Sequence, residues 1–311
     1  MRPIHGTGQQ EALQPLYTYA MVVRPTHHAR AWLRFWRIWS QFALFWLFGT
    51  CAPTQNLTAD TSDYDRGVAY LRDGRLKDAL PLLTKVTALS PDSAAAWKAL
   101  GLTHLGLKDY TSAVGPLRNA CERSAGEEDA CYLAGRTLTL LSRSDEAIDL
   151  LLRALSTAAL GEQSKVNRAI GLCMASLGKP AEAERYFLAA ISAYKTATGA
   201  REDPRLDYGV FLVREGRARE ALDPLRQALA ASPNSPTGNA ETGRALLDLD
   251  RPAEALAYLQ KAVAIDPQAW NVRMLLGKAY LRAGRTEEGE RELLQGRAGW
   301  AKANPGSSKV Q

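Results

Sequence analysis

A glycine recurs along this chain at a nearly constant interval. Successive members of the series are 34, 34, 36, 38, 34 and 34 residues apart. The seven glycines are Gly67, Gly101, Gly135, Gly171, Gly209, Gly243 and Gly277. A small residue follows each of them twelve positions later: Ala79, Ala113, Ala147, Ala183, Ala221, Ala255 and Gly289. A period of this length predicts a stack of repeated units, each of which buries its apolar face against its neighbours. Such an array lets a chain of 311 residues fold without one very large core.

Each unit has the pattern of two helices, A and B, joined by a short turn. When the glycine is numbered 8, small and apolar residues fall at positions 4, 7, 8 and 11 and again at 20, 24 and 27, the spacing of one helical face. Glycine at position 15, which ends a helix in the left-handed conformation, occurs as Gly74, Gly216 and Gly284. Proline at position 32, which stops the second helix, occurs as Pro91, Pro233 and Pro267. We expect positions 8 and 20 to face each other across the hairpin, where small side chains let the two backbones approach closely.

The second unit carries the most complete form of this pattern. It has the spacing W-x2-LG-x2-H, followed by small and apolar residues in helix B; the residues are Trp97, Leu100, Gly101, His104, Ala113, Leu117 and Ala120. This pattern resembles the tetratricopeptide repeat, and the resemblance extends over residues 60–303 in seven units. It implies an all-α fold, an α-solenoid of about seven helix-turn-helix repeats in a right-handed superhelix. Units three and four carry two and four extra residues after helix B, for which we expect longer helices or loops.

The N-terminal region lies outside the repeat. Neither Asp nor Glu occurs between Ala12 and Ala59, and arginines precede a short apolar run over residues 38–52. A basic flank followed by a brief apolar run predicts a secretory signal peptide, with Met21 as an alternative start, and therefore an exported protein, periplasmic or secreted. The alternatives are an uncleaved membrane anchor through residues 32–48 and lipidation of Cys51. We therefore predict a signal or anchor region over 1–56, the tetratricopeptide solenoid over 57–303 and a disordered tail over 304–311.

The chain lacks the motifs of common enzyme classes. It has four histidines, no P-loop, no HExxH and no GxSxG. His104 falls at an aromatic-type packing position, so we expect a structural role for it. We predict that the protein is not an enzyme and that it binds neither a metal nor a cofactor; an accessory repeat region of an unrecognised enzyme is the alternative.

Two cysteines lie close together in the sequence, across one predicted turn. Cys121 belongs to helix B of unit two and Cys131 to helix A of unit three. The sequence favours two buried thiols in adjacent helices, and a disulfide in an oxidising compartment is the alternative. For Cys173 we expect no disulfide partner.

The resemblance implies that helix A lines a concave groove with its positions 2, 5, 9, 12 and 13. These positions hold nine basic residues and three acids, the acids being Asp129, Asp203 and Asp248. The predicted binding residues are Tyr64, Lys98, Tyr132, Arg136, Lys165, Arg168, Arg214, Arg244, Lys278 and Arg282; Arg72 is the ninth base, and Leu172 and Met274 are among the apolar residues of the groove. This composition predicts an acidic, partly apolar peptide or a terminal carboxylate as ligand, whereas the alternative is a merely solvated basic face. Position 9 is never Asn, so the carboxylate clamp of chaperone-binding members is absent.

We therefore predict a non-catalytic protein-protein interaction scaffold that holds a partner segment in its groove. The net charge of +6 permits an acidic protein or peptide partner, and no nucleic acid is expected. A membrane-anchored envelope assembly or secretion factor is the alternative function.

Overall fold

The computed structural model describes residues 55–123, 128–159, 161–194 and 203–304. The predicted signal or anchor, with Met21 and Cys51, lies outside the described residues, apart from Gln55 and Asn56. Residues 195–202, which contain the four extra residues of unit four, and the tail beyond Asn304 also lie outside them.

Fourteen α-helices form the described part of the chain, and no strand occurs in it. They are α1 Gln55–Arg72, α2 Leu76–Leu89, α3 Ala94–Gly106, α4 Tyr110–Arg123, α5 Glu128–Leu140, α6 Ser144–Thr157, α7 Gln163–Ser176, α8 Pro180–Tyr194, α9 Pro204–Arg214, α10 Ala218–Ala231, α11 Pro236–Asp248, α12 Pro252–Ile265, α13 Trp270–Arg282 and α14 Thr286–Ala303. Odd-numbered helices are the predicted A helices and even-numbered ones the B helices, so the all-α solenoid of seven hairpins is confirmed. None of these helices is both long and apolar enough to span a bilayer.

The glycine at position 8 packs under the side chain at position 24 as well as facing the backbone at position 20. A Cβ atom at Gly101 would lie 2.6 Å from Cγ of Leu117 in the facing helix, and the same contact recurs in every unit, with Phe187 in place of leucine over Gly171. The expected close approach of position 20 is seen in its backbone, since a Cβ at Gly277 would lie 2.9 Å from the Gly289 carbonyl oxygen and one at Gly135 would lie 3.2 Å from that of Ala147. The glycine therefore makes room for a large side chain as well as for a close backbone.

Every turn between helix A and helix B has a residue with positive φ at position 15. The predicted glycines have φ values of 73°, 74° and 78°, and Gly178 has 69°. The other three units place Lys108, Ser142 and Asp250 in the same conformation, with φ between 54° and 61°. The turn geometry is therefore constant even where glycine is missing.

Neighbouring units pack through apolar residues at positions 21 and 28 of helix B. In α10 and α12 these are Leu222, Leu229, Leu256 and Val263, all buried. A Cβ at Gly238 in α11 would lie 2.9 Å from Leu229, which locates this contact between consecutive units. In α14 the same two positions are charged and exposed, so the outer face of the last unit is polar.

The joint between units four and five is held partly by polar contacts. Position 21 of α8 is Glu184, whose carboxylate accepts hydrogen bonds from Tyr208 at 2.8 Å and from Arg217 at 2.7 and 2.9 Å. Beside them, the Phe187 and Phe211 rings lie 5.3 Å apart between centroids. Aromatic packing and one bridging carboxylate thus replace the apolar residue that position 21 carries in units one to three, five and six, whereas position 28 keeps an apolar residue, Ile191.

Cys121 and Cys131 form a disulfide, so the favoured interpretation of two free thiols was wrong. The last turn of α4 and the first turn of α5 bring their Cα atoms to 4.7 Å, within the range that a disulfide can span. Cys173 is a buried free thiol that lies 3.0 Å from the Thr139 hydroxyl, and burial raises its pKa.

Candidate functional site

The A helices of the last three units surround a cavity of about 810 Å³. Its lining comes mainly from positions 2, 5, 9, 12 and 13 of α9, α11 and α13, which are the positions assigned to the groove. The lining residues are Val213, Arg214, Arg244, Asp248, Asn271, Met274, Leu275, Lys278, Leu293 and Arg297. A cavity of this volume is within the range of known ligand sites.

Positive charge dominates this cavity. Arg214, Lys278 and Arg297 are exposed and form no ion pair within the described residues. Arg244 has one acidic neighbour, since its Nε atom lies 3.4 Å from Oε2 of Glu241. Asp248 is the only acid in the lining, so the cavity holds four bases against one carboxylate.

The predicted bases of units two to four lie in a different electrostatic setting. Asp129 in α5 sits between two of them, 3.7 Å from the Lys98 ammonium and 3.6 Å from that of Lys165. Lys165 also pairs with Glu162 and lies 4.9 Å from the centre of the Tyr132 ring. Tyr132 itself is only 8% exposed. Acids of this chain therefore already balance the lysines here.

Arg168 is likewise engaged by a neighbouring unit. Its Nη1 atom donates to Asp207 at 2.7 Å, and both side chains are largely covered. The pair lines a second cavity of about 610 Å³ at the start of α9 and α11, where Asp203 is held by Arg205. The charged side chains that line this cavity therefore already have partners of opposite charge within the protein.

The remaining predicted groove residues are spread along the solenoid. Arg282 donates to the Leu247 carbonyl oxygen at 2.8 Å and so satisfies the end of α11. Arg136 is exposed in the middle of α5, and Tyr64 packs on the cluster that contains Leu83 and Leu100. The structure thus brings Arg214, Arg244 and Lys278 together at one cavity and separates them from the other predicted residues.

Sequence reasoning missed two contributors to the groove surface. Arg297 comes from helix B, at position 28, where α10 and α12 carry apolar residues. An arginine at a position that is otherwise apolar could have been noticed in the sequence. Leu140, at position 13 of α5, is 59% exposed, and Leu172, at position 9 of α7, is 36% exposed. Two leucines exposed on consecutive A helices give units three and four an apolar groove surface.

His104 has the packing role expected from its position. Its ring is mostly buried, and Nδ1 lies 3.5 Å from the Asp109 carboxylate. In the described part of the chain, no three His, Cys, Asp or Glu side chains group as metal ligands would.

Two models of one repeat family match this sequence. Models described as tetratricopeptide repeat match residues 64–128 and 175–236 in one case and residues 246–299 in the other. The matched stretches make up more than half of the chain. None of the curated proteins compared with the sequence matches it.

Solved structures share the fold at low sequence identity. A tetratricopeptide repeat protein from Parabacteroides merdae is 15% identical with a TM-score of 0.61, over 78% of this chain and 93% of that one. A chain of the APC/C hetero-tetramer Cut9-Hcn1 is 14% identical with a TM-score of 0.60; 75% of this chain aligns, but only 45% of that one. PilW, a type IV pilus biogenesis factor, is 20% identical with a TM-score of 0.58, over 66% and 92% of the two chains. At these identities the similarity concerns the fold alone.

Proposed function

Because this chain belongs to the tetratricopeptide repeat family, whose members are protein-interaction scaffolds, we propose that it holds an acidic segment of a partner protein in the groove formed by its A helices. The observation that carries this proposal is the cavity of about 810 Å³ that three exposed bases line without an ion pair inside the described chain. Proteins of this family are generally non-catalytic, and we propose the same for this chain.

The binding mechanism is the presentation of charges on a rigid surface. Arg214, Arg244 and Lys278 project from three consecutive A helices whose backbones are fixed by buried hairpin contacts. A carboxylate that enters the cavity accepts charge-assisted hydrogen bonds, which are about twice as strong as neutral ones. Because the helices are ordered before binding, little backbone conformational entropy is lost on the protein side, and the entropic cost is limited to the bound side chains.

A photoreactive residue at Asn271 tests where the partner binds. Asn271 is exposed and lines the cavity, so a captured partner is expected to crosslink there in cells. The triple variant Arg214→Glu, Arg244→Glu and Lys278→Glu is expected to abolish the crosslink. The matched control replaces Arg153, Arg219 and Arg291, which are exposed on B helices, with Glu and makes the same change in net charge. A crosslink that survives the first triple variant, or one that both variants abolish equally, would contradict binding in this cavity.

We also propose that the protein is exported. The basic and apolar pattern before residue 56 supports export, and so does the disulfide between Cys121 and Cys131, because disulfides persist mainly in oxidising compartments. When intact cells are denatured in the presence of a thiol-alkylating reagent, these two cysteines are expected to remain unmodified. Alkylation of both would contradict export.

A membrane-anchored assembly factor is the second candidate, favoured by the aromatic residues that flank the apolar run over residues 32–48. Cell fractionation separates the two candidates. A shortened, released protein supports an exported soluble scaffold, whereas a full-length protein retained in membranes supports the anchored one.

A further inference from the structure

We propose that the groove selects a partner segment with two parts, apolar side chains at one end and carboxylates at the other. The inference rests on the proposed function and adds the chemical class of the partner to it. The apolar part lies over Leu140 and Leu172 in units three and four, and the acidic part lies in the basic cavity of units five to seven.

Basic side chains without an acidic partner are unevenly distributed along the groove. In units two to five, Asp129 and Asp207 hold Lys98, Lys165 and Arg168 in ion pairs of 2.7 to 3.7 Å. An acidic ligand there would have to displace a carboxylate that is already in place. In the cavity of units five to seven, Arg214, Lys278 and Arg297 require no such exchange. The acids of the partner therefore bind at the C-terminal end of the groove.

Apolar surface is exposed on the A helices of units three and four, which also carry most of the ion-paired bases. Leu140 and Leu172 occupy positions 13 and 9, which face the cavity in units five to seven. They are 59% and 36% exposed, and among the other leucines of the described A helices only Leu281 in α13, at 38%, is as exposed as Leu172. Arg136, exposed on α5, adds one positive charge to this stretch. Covering the two leucines removes apolar surface from water and so favours aliphatic or aromatic side chains in the partner.

The length of the segment follows from the spacing of the A helices. From α5 to α13 there are four steps between consecutive A helices, each of roughly 10 Å for packed helices. An extended chain advances about 3.3 Å per residue, so about 12 residues reach from the leucines to the far side of the cavity. A shorter acidic peptide occupies the cavity alone.

The test uses fluorescein-labelled peptides of three kinds, each of about 12 residues on a Gly/Ser background, and the full-length protein. One peptide carries three leucines and four aspartates at opposite ends, the second only the aspartates and the third only the leucines. The two-part peptide is made in both orders, because the chain can run in either direction. We expect the better order to bind about tenfold more tightly than the acidic peptide, because two leucines become covered, and the leucine peptide to bind weakest.

Variants of the protein assign the two parts. Leu140→Ser with Leu172→Ser is expected to reduce the affinity for the two-part peptide to that for the acidic one and to leave the acidic peptide unaffected. The matched control, Leu152→Ser with Leu188→Ser, changes two leucines exposed on B helices and is expected to have no effect. Arg214→Ala with Lys278→Ala is expected to weaken both acid-containing peptides.

The outcomes separate this inference from the proposed function. Binding that depends on Arg214 and Lys278 but not on Leu140 and Leu172 overturns the two-part partner and leaves an acidic partner in the groove. Binding that depends neither on the two bases nor on the two leucines overturns both the two-part partner and the acidic partner. Circular dichroism of each variant shows whether the solenoid is intact, so that a loss of binding is not confused with a loss of fold.

Discussion

At the scale of single residues, the molecule depends on one contact that repeats in every hairpin. A glycine in helix A leaves space that the residue at position 24 fills. In units one to four this residue is Leu83, Leu117, Leu151 and Phe187 in turn, and each of them is fully buried. Glycine within a helix costs about 1 kcal/mol relative to alanine. The contact offsets this cost only where a large side chain lies directly over the glycine.

Two glycines of unit two provide a matched pair. Gly101→Ala is expected to lower the free energy of unfolding by about 1–3 kcal/mol, because the new Cβ would lie 2.6 Å from Leu117. Gly115→Ala is expected to change it by less than about 1 kcal/mol: no side chain of another helix lies within 4 Å of a Cβ there, and the helix preference of alanine is opposed by its contact with the following Pro116. Urea unfolding of both variants measures the difference. Equal effects of the two changes on the free energy of unfolding would show that the close contact over Gly101 does not determine the stability of the hairpin.

The left-handed residue at position 15 gives a second prediction. Lys108 adopts a φ of 61°, a conformation that costs a residue with a side chain roughly 1–2 kcal/mol. Lys108→Gly removes this cost and adds about 0.5–1 kcal/mol of backbone entropy loss, so a net gain of about 0.5 kcal/mol is expected. Lys77→Gly, at an exposed position inside α2, is the control and is expected to destabilise by about 1 kcal/mol. Thermal melting that ranks the two variants the other way would contradict the strain at the turn.

At the scale of helices, the start of most B helices carries an ion pair between positions 16 and 19. An acid in the first helical turn complements the helix dipole, and an exposed pair of this kind contributes little alone. In unit five the arrangement extends further, since Arg217 binds both Glu220 of its own helix and Glu184 of the preceding unit. This arginine links two units at the joint where position 21 of helix B is a carboxylate and not an apolar residue.

The pH dependence of stability tests this link. The hydrogen bonds from Arg217 lower the pKa of Glu184 below its ordinary value of 4.5, although burial opposes the shift. A carboxyl with a lowered folded pKa stabilises the fold above its unfolded pKa and loses that contribution as the pH falls through the folded pKa. Glu184→Gln is therefore expected to cost about 1 kcal/mol near pH 7 and progressively less below pH 4.5. Glu182→Gln, on the same helix, is the control; a pH-independent loss for Glu184→Gln would contradict the link.

At the scale of the whole molecule, the sequence predicted what repeats and missed what differs between units. The period of the glycines located all seven hairpins, because close helix packing requires a small residue at a fixed place. The compensation of Lys98 and Lys165 by Asp129 was missed, since these residues are more than thirty positions apart and meet only when units stack. The preference for two free thiols over the disulfide was wrong for a related reason, since the pairing depends on how closely α4 and α5 bring the two cysteines together.

The outer faces of the terminal units predict how the molecule behaves in solution. Glu290 and Arg297 in α14 occupy the positions of Leu256 and Val263 in α12, which are buried against the next unit. Glu290→Leu with Arg297→Val is expected to create an apolar end and cause concentration-dependent association, measurable by sedimentation velocity against the unchanged protein. Glu287→Leu with Arg291→Val, exposed elsewhere on the same helix, is the control. Equal association of both variants would show that any added apolar surface on α14 suffices.

The charged faces at the two ends restrict how an array of this kind changes its length by gene duplication. The first unit exposes Asp65 and Arg66 where later units bury residues such as Ala99 and Leu100. A duplicated hairpin joined to either end would bury charges, whereas a copy of residues 236–269 inserted beside its original would join two surfaces that are each buried against another unit already. We therefore expect hairpins to be gained and lost in the interior of this solenoid and the terminal hairpins to be retained.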